Sequence, residues 1–415
     1  MVGRVIISST GIRRLEASTP PKRYREVIPV LAARLTEITG IGLDSVAAAA
    51  GEDAAVLRLE NLDTDISVPE IALVETRRSI SDDLNNSWLP LTGRMELRSA
   101  VAARLNSQTG IDYDPNTQVV ITCGGMEGLL DTLLAVVDPG DEVILTDPTY
   151  AGMINRTRLV GGIPVFVQFR SSRNEWRLDL DRLADAVTSK TRSLFIMNPS
   201  MPSGAVLNQE EWDAIAATCI DNDLWLIYNA AMEKILFDER PYFHPASLDG
   251  MAERTITVGS ASKEYRMIGW KVGWVVGPEQ VMESIGTVHI YNTADAVGLT
   301  QTAVAAVVAG SEEDTGVEVA IAEWQKRRDL IVDELSEYTL IPAAGGWSML
   351  LEVGQLGFTS VEASERLLGL GKIAATYMRD WGHENSDQYV RLVFSNEPVE
   401  RLTGIGEKTK ASLLR

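Results

Sequence analysis

The sequence predicts an α/β fold with one larger and one smaller domain. The chain has 415 residues, which is too many for one ordinary hydrophobic core, so a large domain with a smaller companion is expected. A β-branched run at 117–122 is followed by a glycine turn and an apolar helix, and an alternation of strands and helices begins there. With 45% hydrophobic and 23% charged residues, the composition is that of an ordinary globular protein.

The charge balance and the rare residue types exclude several functional classes. The 38 basic and 58 acidic residues give a formal net charge of −20, which repels nucleic acid and anionic membrane surfaces. Cys123 and Cys219 fit no disulfide framework, and the three histidines are isolated, so a metal site is not expected. Because no apolar run is long enough for a membrane span or a secretory signal, we expect a cytoplasmic protein.

The first half of the chain contains a predicted anion site. Residues 1–22 are predicted to be irregular, and apolar spacing between Tyr24 and Ala50 predicts one or two helices. After the strand at 117–122, Gly124-Gly-Met-Glu127 opens an apolar helix. Glycines let the backbone approach a ligand, and the first N–H groups of the helix point at it. Further elements are predicted as strands at 164–168 and 193–197 and as helices at 178–186 and 209–222.

Lys263 lies in the most informative stretch, Ser260-Ala-Ser-Lys-Glu-Tyr-Arg-Met-Ile-Gly-Trp-Lys-Val-Gly273. Small hydroxyl residues precede the lysine, and two glycines follow it. A lysine taken at random is most often a solvated surface residue. The whole string, however, resembles the cofactor-lysine motif of the class I/II aminotransferases, the fold-type-I family that uses pyridoxal 5′-phosphate (PLP). This resemblance implies that Lys263 is the catalytic residue and carries PLP as a Schiff base.

The resemblance extends over residues 56–410 and implies further cofactor contacts, which come in the family order. Gly125 and Met126 belong to the predicted anion site, and Tyr150 ends Pro148-Thr-Tyr150, where the family stacks an aromatic ring on the pyridine. Asn198 opens Asn198-Pro-Ser-Met-Pro-Ser-Gly204 and is expected to donate to the ring oxygen. The phosphate is expected to be bound by the hydroxyls of Ser260 and Ser262 and by the ammonium group of Lys271. Lys271 replaces the arginine that is more usual at this position.

Further positions depart from the family pattern, beginning with Glu60, which stands where the family usually has glycine. Asn229 stands where the family has an aspartate that keeps the pyridine nitrogen protonated, so the ring is expected to be a weaker electron sink. Met232 stands where the family has a tyrosine that contacts the ring oxygen. Trp88 occupies the aromatic position from which the partner subunit reaches the phosphate, and an indole can donate a hydrogen bond but cannot accept one.

Arg391 is the predicted site for the substrate carboxylate. It lies in Tyr389-Val-Arg-Leu-Val-Phe-Ser395, which alternates like a strand and resembles the family motif for this role. An arginine on a strand is more often at the surface, but a planar guanidinium matches a carboxylate with two parallel hydrogen bonds. Asn198 is expected to contact the same carboxylate.

The resemblance also implies the architecture. It is an α/β fold of PLP fold type I, with a mostly parallel, seven-stranded-type sheet flanked by helices and a smaller α+β domain. The expected division is a helical extension at 1–55 that packs on the small domain or on a partner subunit, a first part of the small domain at 56–85, the PLP-binding domain at 86–315, and the rest of the small domain at 316–415. A homodimer with shared active sites is expected.

The implied reaction moves an α-amino group between an amino acid and a 2-oxo acid. Two alternatives stay open, because a fold alone does not determine a reaction. One is a PLP enzyme of another class, such as a β-eliminating C–S lyase, a decarboxylating deaminase, a cyclase or an oxidase, which the residues at 229, 232 and 271 suggest. The other is a cofactor-binding protein without turnover. The substrate side chain cannot be read from the sequence.

Overall fold

The computed structural model describes residues 32–40, 42–172, 174–383 and 385–414. The irregular stretch predicted at 1–22 and the start of the helical region predicted from Tyr24 lie outside the described residues. A 3₁₀ turn at Ala33–Glu37 is followed by a helix at Leu43–Ala50, so the predicted helical character is found in the described part of that region.

The described residues alternate between helices and strands over most of the chain. The helices are α1 (Leu43–Ala50), α2 (Glu70–Ile80), α3 (Met95–Thr109), α4 (Gly125–Val136), α5 (Ala151–Leu159), α6 (Leu180–Asp185), α7 (Gln209–Asp221), α8 (Glu279–Asn292), α9 (Gly298–Val308), α10 (Glu312–Thr315), α11 (Val317–Glu334), α12 (Ser360–Gly371), α13 (Val399–Leu402) and α14 (Ile405–Leu413). The strands are β1 (Leu57–Arg58), β2 (Val119–Thr122), β3 (Glu142–Asp147), β4 (Ile163–Ser172), β5 (Glu175–Leu178), β6 (Thr191–Met197), β7 (Trp225–Asn229), β8 (Thr255–Ser260), β9 (Gly273–Val276), β10 (Ser348–Glu352), β11 (Ile373–Ala374), β12 (Thr376–Tyr377) and β13 (Tyr389–Val393). None of these helices has the length and apolarity that a membrane crossing needs.

The main sheet has eight strands in the order β2-β9-β8-β7-β6-β3-β4-β5. Strands β8, β7, β6, β3 and β4 pair in parallel, whereas β9 runs antiparallel to both of its neighbours. The central strands are buried along nearly their whole length, as expected of a parallel sheet covered by helices on both faces. The predicted α/β fold with a mostly parallel sheet is therefore confirmed.

The eighth strand corrects one prediction. Residues 175–178 form β5, which pairs antiparallel with β4 at the edge of the sheet, and α6 begins only at Leu180. Sequence patterning instead predicted a short β4 and a helix from Leu178. Asn174, directly before β5, has a φ of 63°, and Trp176 and Leu178 of β5 are buried in the core.

Two smaller sheets join the beginning of the described chain to its end. Strand β1 pairs in parallel with β11, with Leu57 opposite Ile373. Strand β13 lies between β10 and β12, and Arg391 at its centre is opposite Leu350 and Thr376. Helix α1 packs on this region through Val46 and Ala50. The boundaries at 56, 86 and 316 stay a prediction.

The sheet direction positions the candidate site. Strands β2, β3, β6, β7 and β8 all run the same way, so their carboxyl ends meet at one edge. Their last residues are Thr122, Asp147, Met197, Asn229 and Ser260. The motifs described above directly follow or include these ends.

Candidate active site

A cavity of about 120 Å³ lies at the carboxyl ends of the parallel strands. It brings together residues that are far apart in the sequence. Its lining consists of Leu62, Gly124, Gly125, Met126, Leu129, Tyr150, Met197, Met201, Asn229, Ala231, Ser260, Ser262 and Lys271. Seven of the residues predicted to bind the cofactor therefore share one cavity, namely Gly125, Met126, Tyr150, Asn229, Ser260, Ser262 and Lys271.

One end of the cavity is a glycine turn at the beginning of α4. Gly124 has a φ of 84°, a conformation that favours glycine. A Cβ atom on Gly273 of β9 would lie 2.4 Å from the backbone nitrogen of Gly125. The two backbone segments are thus in contact, and no side chain fits between them. The free N–H groups of the first helical turn remain available to a ligand.

Hydroxyl groups and an ammonium group surround this turn. The Ser262 backbone N–H donates to Ser260 Oγ at 3.2 Å, and the two hydroxyl oxygens are 3.0 Å apart. A Cβ atom on Gly124 would lie 3.8 Å from Lys271 Nζ, so the lysine reaches over the turn. A helix N-terminus, two hydroxyls and a cation are groups that suit a phosphate.

Lys263 lies beside the cavity. Its Nζ donates to the backbone oxygen of Leu62 at 2.7 Å and lies 4.8 Å from the centre of the Trp347 ring. Desolvation lowers the pKa of Lys263 to about 8, a shift that Asp63 opposes and that Arg391 and Lys271 reinforce. The unprotonated amine, which a nucleophile or general base requires, is therefore far more populated near neutral pH than it is in an ordinary lysine.

Arg391 is completely buried, and part of its guanidinium has no partner. Nη2 donates to the Glu60 backbone oxygen at 2.7 Å and to Thr376 Oγ1 at 3.0 Å. Nε and Nη1 are buried and have no hydrogen-bond partner among the described residues. The guanidinium lies over the Trp381 ring at 4.6 Å, and desolvation lowers its pKa to about 9. Unpaired donors of a buried cation are costly, so this group is arranged for an anion.

Glu60 stands at one of the positions where the family usually has glycine. Its carboxylate faces Arg58, whose Nη2 is 2.5 Å from Oε1, whereas its backbone oxygen accepts from Arg391. This departure therefore puts a buried carboxylate, paired with the partly exposed Arg58, in place of a glycine, and the backbone at this position still orients Arg391.

The other predicted residues have distinct positions. Asn198 is buried, and its Oδ1 accepts from the Leu207 backbone N–H at 2.9 Å, which leaves its Nδ2 group as a donor. Tyr150 lines the cavity, and its hydroxyl contacts the Met126 sulfur. Met232 is buried outside the cavity lining, with its sulfur directed at Gly346. Trp88 does not line the cavity and is 79% exposed on the surface.

A buried charged cluster lies directly behind Lys263, and sequence reasoning missed it. Arg104 of α3 is 2.8 Å from Glu264 and 3.2 Å from Glu233. Its Nη1 also donates to the Tyr265 hydroxyl, and the Tyr242 hydroxyl donates to Glu233 at 2.9 Å. These contacts attach the lysine loop to α3 and to the segment after β7. Their partners are up to 161 residues apart, so no local pattern indicates them.

Sequence reasoning also missed the residues around the reactive cations. The Leu62 carbonyl, the Trp347 ring and the Trp381 ring contact Lys263 or Arg391. The signal in the sequence was a tryptophan directly after Gly345-Gly346.

The family of the chain follows from comparison with known proteins. A family model described as aminotransferase class I and II matches residues 59–399. Aromatic-amino-acid aminotransferase 2 of Thermococcus litoralis is 32% identical over 80% of this chain and 85% of its own length. The aspartate aminotransferase of Pyrococcus abyssi is 33% identical over 74% of this chain and 79% of its own length.

Solved structures agree with this result. N-succinyldiaminopimelate aminotransferase from Mycobacterium tuberculosis superimposes with a TM-score of 0.86 at 28% identity, over 93% of this chain and all of the other. The aspartate aminotransferase of Thermus thermophilus has the same TM-score at 26% identity and the same coverage. The fold is that of these enzymes, and the chain belongs to the family of class I and II aminotransferases.

Proposed function

We propose that this aminotransferase uses PLP to move an α-amino group between an amino acid and a 2-oxo acid, with Lys263 as the catalytic residue. The observation that carries the proposal is the placement of the two reactive cations. Lys263, whose pKa is lowered, lies beside the cavity, where its Nζ donates to the backbone oxygen of the lining residue Leu62, and Arg391 has two unpartnered donors. Arg391 is close enough to lower the pKa of Lys263.

The described residues fit PLP. Its phosphate would lie at the glycine turn, close to Ser260, Ser262 and Lys271. The backbone can approach a ligand there because Gly273 has no Cβ atom, which would collide with the backbone of Gly125. Tyr150 offers an aromatic face, and Asn198 has a free donor for the ring oxygen. When bound, PLP supplies an aldehyde and an electron-withdrawing ring, which makes the α-proton of an amino acid acidic.

The residues of the chain then have separate tasks. Arg391 binds the substrate carboxylate through Nε and Nη1, which orients the α-carbon toward Lys263. The Lys263 amine holds the cofactor, and once released it takes the α-proton as general base and returns it to another carbon. The Leu62 backbone oxygen, 2.7 Å from Nζ, accepts a hydrogen bond from the amine and orients it. The rings of Trp347 and Trp381 exclude water around both cations.

A homodimer is part of the proposal. Leu84, Trp88, Tyr291 and Val297 are large side chains that are 70%, 79%, 88% and 47% exposed, and the turn at 83–86 packs on α9, the helix after Val297. Exposed apolar groups on adjacent segments are typical of an interface. Trp88 would then reach the phosphate site of the partner subunit. We also propose a cytoplasmic location, which suits the two free thiols of Cys123 and Cys219.

The test combines labelling of the lysine with detection of the product. The protein is loaded with PLP, reduced with borohydride and digested, and the peptide that carries the pyridoxyl group is identified; we expect it to contain Lys263. A panel of amino acids with a 2-oxo acid acceptor should then give the matching 2-oxo acid. Release of ammonia, carbon dioxide or a thiol without any acceptor would instead indicate another PLP reaction class, and labelling of a different lysine would overturn the role of Lys263.

A further inference from the structure

The amide of Asn229 has a defined orientation. Its Oδ1 accepts a hydrogen bond from the Ala231 backbone N–H at 3.1 Å. A backbone N–H can only donate, so the amide oxygen must lie on this side, and the NH₂ group must lie on the other. Nδ2 makes no hydrogen bond to another residue in the described part of the chain, and Asn229 lines the cavity. Asn229 therefore presents a donor to a bound molecule.

The chemistry of the lining indicates which part of PLP meets this donor. The polar side chains of the lining are those of Tyr150, Asn229, Ser260, Ser262 and Lys271. The last three lie at the glycine turn, which suits the phosphate, and the Tyr150 hydroxyl contacts Met126. Asn229 is thus the remaining polar side chain of the lining. On the pyridine ring of PLP, the edge that faces away from the aldehyde and the phosphate has one polar atom, the ring nitrogen.

The charges around the cavity also disfavour a proton on that nitrogen. No carboxylate lines the cavity in the described part of the chain. Acidic groups close to Lys263 in the sequence or in space are already engaged, since Glu233 and Glu264 bind Arg104 and Asp63 acts on Lys263. Lys271 lines the cavity, and Arg391 is a second cation close enough to act on Lys263 beside it. A pyridinium here would be a further positive charge without a counter-charge.

We infer that Asn229 donates a hydrogen bond from Nδ2 to the ring nitrogen and holds the cofactor with that nitrogen unprotonated. A hydrogen bond from Nδ2 needs a lone pair on the nitrogen, and the protonated ring has none. This inference rests on the proposed use of PLP and goes beyond it, because it assigns a protonation state and a positioning role to Asn229. A neutral ring withdraws fewer electrons, so proton transfer depends more on Lys263 than it would beside an aspartate.

The protonation state can be measured on the resting holoprotein without turnover. The protein is loaded with PLP that carries ¹⁵N in the ring, and the ¹⁵N shift is recorded between pH 6 and 9. Free labelled cofactor in its two protonation states supplies the reference shifts. We expect the unprotonated shift throughout for the native protein and the protonated shift for Asn229→Asp. A protonated shift in the native protein, or identical shifts in both proteins, would overturn the inference.

A binding measurement gives a second test if Asn229→Asp does not fold. A PLP analogue with C–H in place of the ring nitrogen keeps the aldehyde and the phosphate but cannot accept a hydrogen bond. We expect the native protein to bind the analogue about tenfold more weakly than it binds PLP. Asn229→Ala should bind the analogue and PLP with equal affinity. Equal affinities in the native protein would overturn the inference. If the native protein retained neither compound, the proposed function itself would be overturned. Separating free from bound cofactor distinguishes this result from a failure of the inference alone.

Discussion

Lys263 and Glu264 are neighbours in the chain, but they belong to two regions with opposite electrostatics. Glu264 belongs to a paired cluster in which Arg104 binds two carboxylates, and although burial opposes it, this pairing holds the pKa of Arg104 well above its usual value. Lys263 belongs to a cation pocket with Arg391 and Lys271. There, desolvation lowers the pKa values of Lys263 and Arg391 to about 8 and about 9.

The difference separates structural charges from functional ones. Both arginines are buried, so burial alone does not indicate a site. Arg104 has counter-charges from its own chain, whereas Arg391 donates to a backbone oxygen and a hydroxyl and keeps two donors unpartnered. A buried cation that forms no ion pair with a carboxylate among the described residues is a candidate to bind a ligand that brings one.

The largest expected effect is on catalysis in the cation pocket. Lys263→Met should lower the rate of single turnover from amino acid to 2-oxo acid by roughly 10⁴-fold, because both the nucleophile and the general base are lost. Lys326→Met, at a lysine whose side chain is 70% exposed, serves as the matched control and should keep the native rate. A Lys263→Met rate within tenfold of native would place the chemistry elsewhere.

The paired cluster should instead respond in stability. Arg104→Met leaves Glu233 and Glu264 buried near each other without a cation, so the free energy of unfolding should fall by about 3–5 kcal/mol. Urea denaturation of the apoprotein measures this value. Adding Glu233→Gln and Glu264→Gln to Arg104→Met should restore most of the loss, and an absence of recovery would show that the charges are not its cause.

Arg391→Met should give the reverse pattern. Its kcat/KM should fall by about 10²–10³-fold, mainly through KM, because the substrate carboxylate loses a charge-assisted pair of hydrogen bonds. The free energy of unfolding of the apoprotein should change by less than about 1 kcal/mol, since a buried and poorly paired charge is removed. Arg391→Lys should recover part of the affinity. A large loss of stability with an unchanged KM would show that Arg391 stabilises the fold and does not bind the substrate.

The smallest effect is a pH dependence of stability in the apoprotein. The pKa of Lys263 is lowered to about 8 in the folded protein, below the value of an unfolded chain, so between these values the unfolded state binds the extra proton. Stability should therefore rise with pH from about 8 to 10.5, by up to about 3 kcal/mol from this residue. Denaturation at several pH values should show a weaker rise for Lys263→Met. Parallel profiles would show that the amine is not desolvated.

The part of the site that could be predicted from the sequence is the part that follows strand ends. Gly125, Asn229 and Ser260 lie within or directly after a strand, and parallel strands bring their ends to one edge. Short motifs therefore predict residues that line a common cavity. The predicted roles of these residues in binding PLP stay predictions until they are tested.

The rest of the site depends on contacts between distant segments. Lys263 is oriented by Leu62, which is 201 residues away, and Arg391 by Glu60, which is 331 residues away. Both contacts use backbone oxygens and neither uses a side chain. Because every residue has a backbone oxygen, the residue types do not indicate these contacts. Strand β5 was missed for a different reason, since four residues are too few to separate a strand from the first turn of a helix.

The pairing of β1 with β11 has a consequence for the biosynthesis of the protein. All eight strands of the main sheet lie within residues 119–276. By contrast, Leu57 can pair only after Ile373 has been synthesised, and Glu60 can contact Arg391 only after that residue has been synthesised. Synthesis proceeds from the N-terminus, so the main sheet can form on the ribosome while its early partner strand is still unpaired. Most of the residues that line the cavity can thus be in place before Arg391 is made, and under the proposed function the chain could bind its cofactor before it could bind a substrate carboxylate.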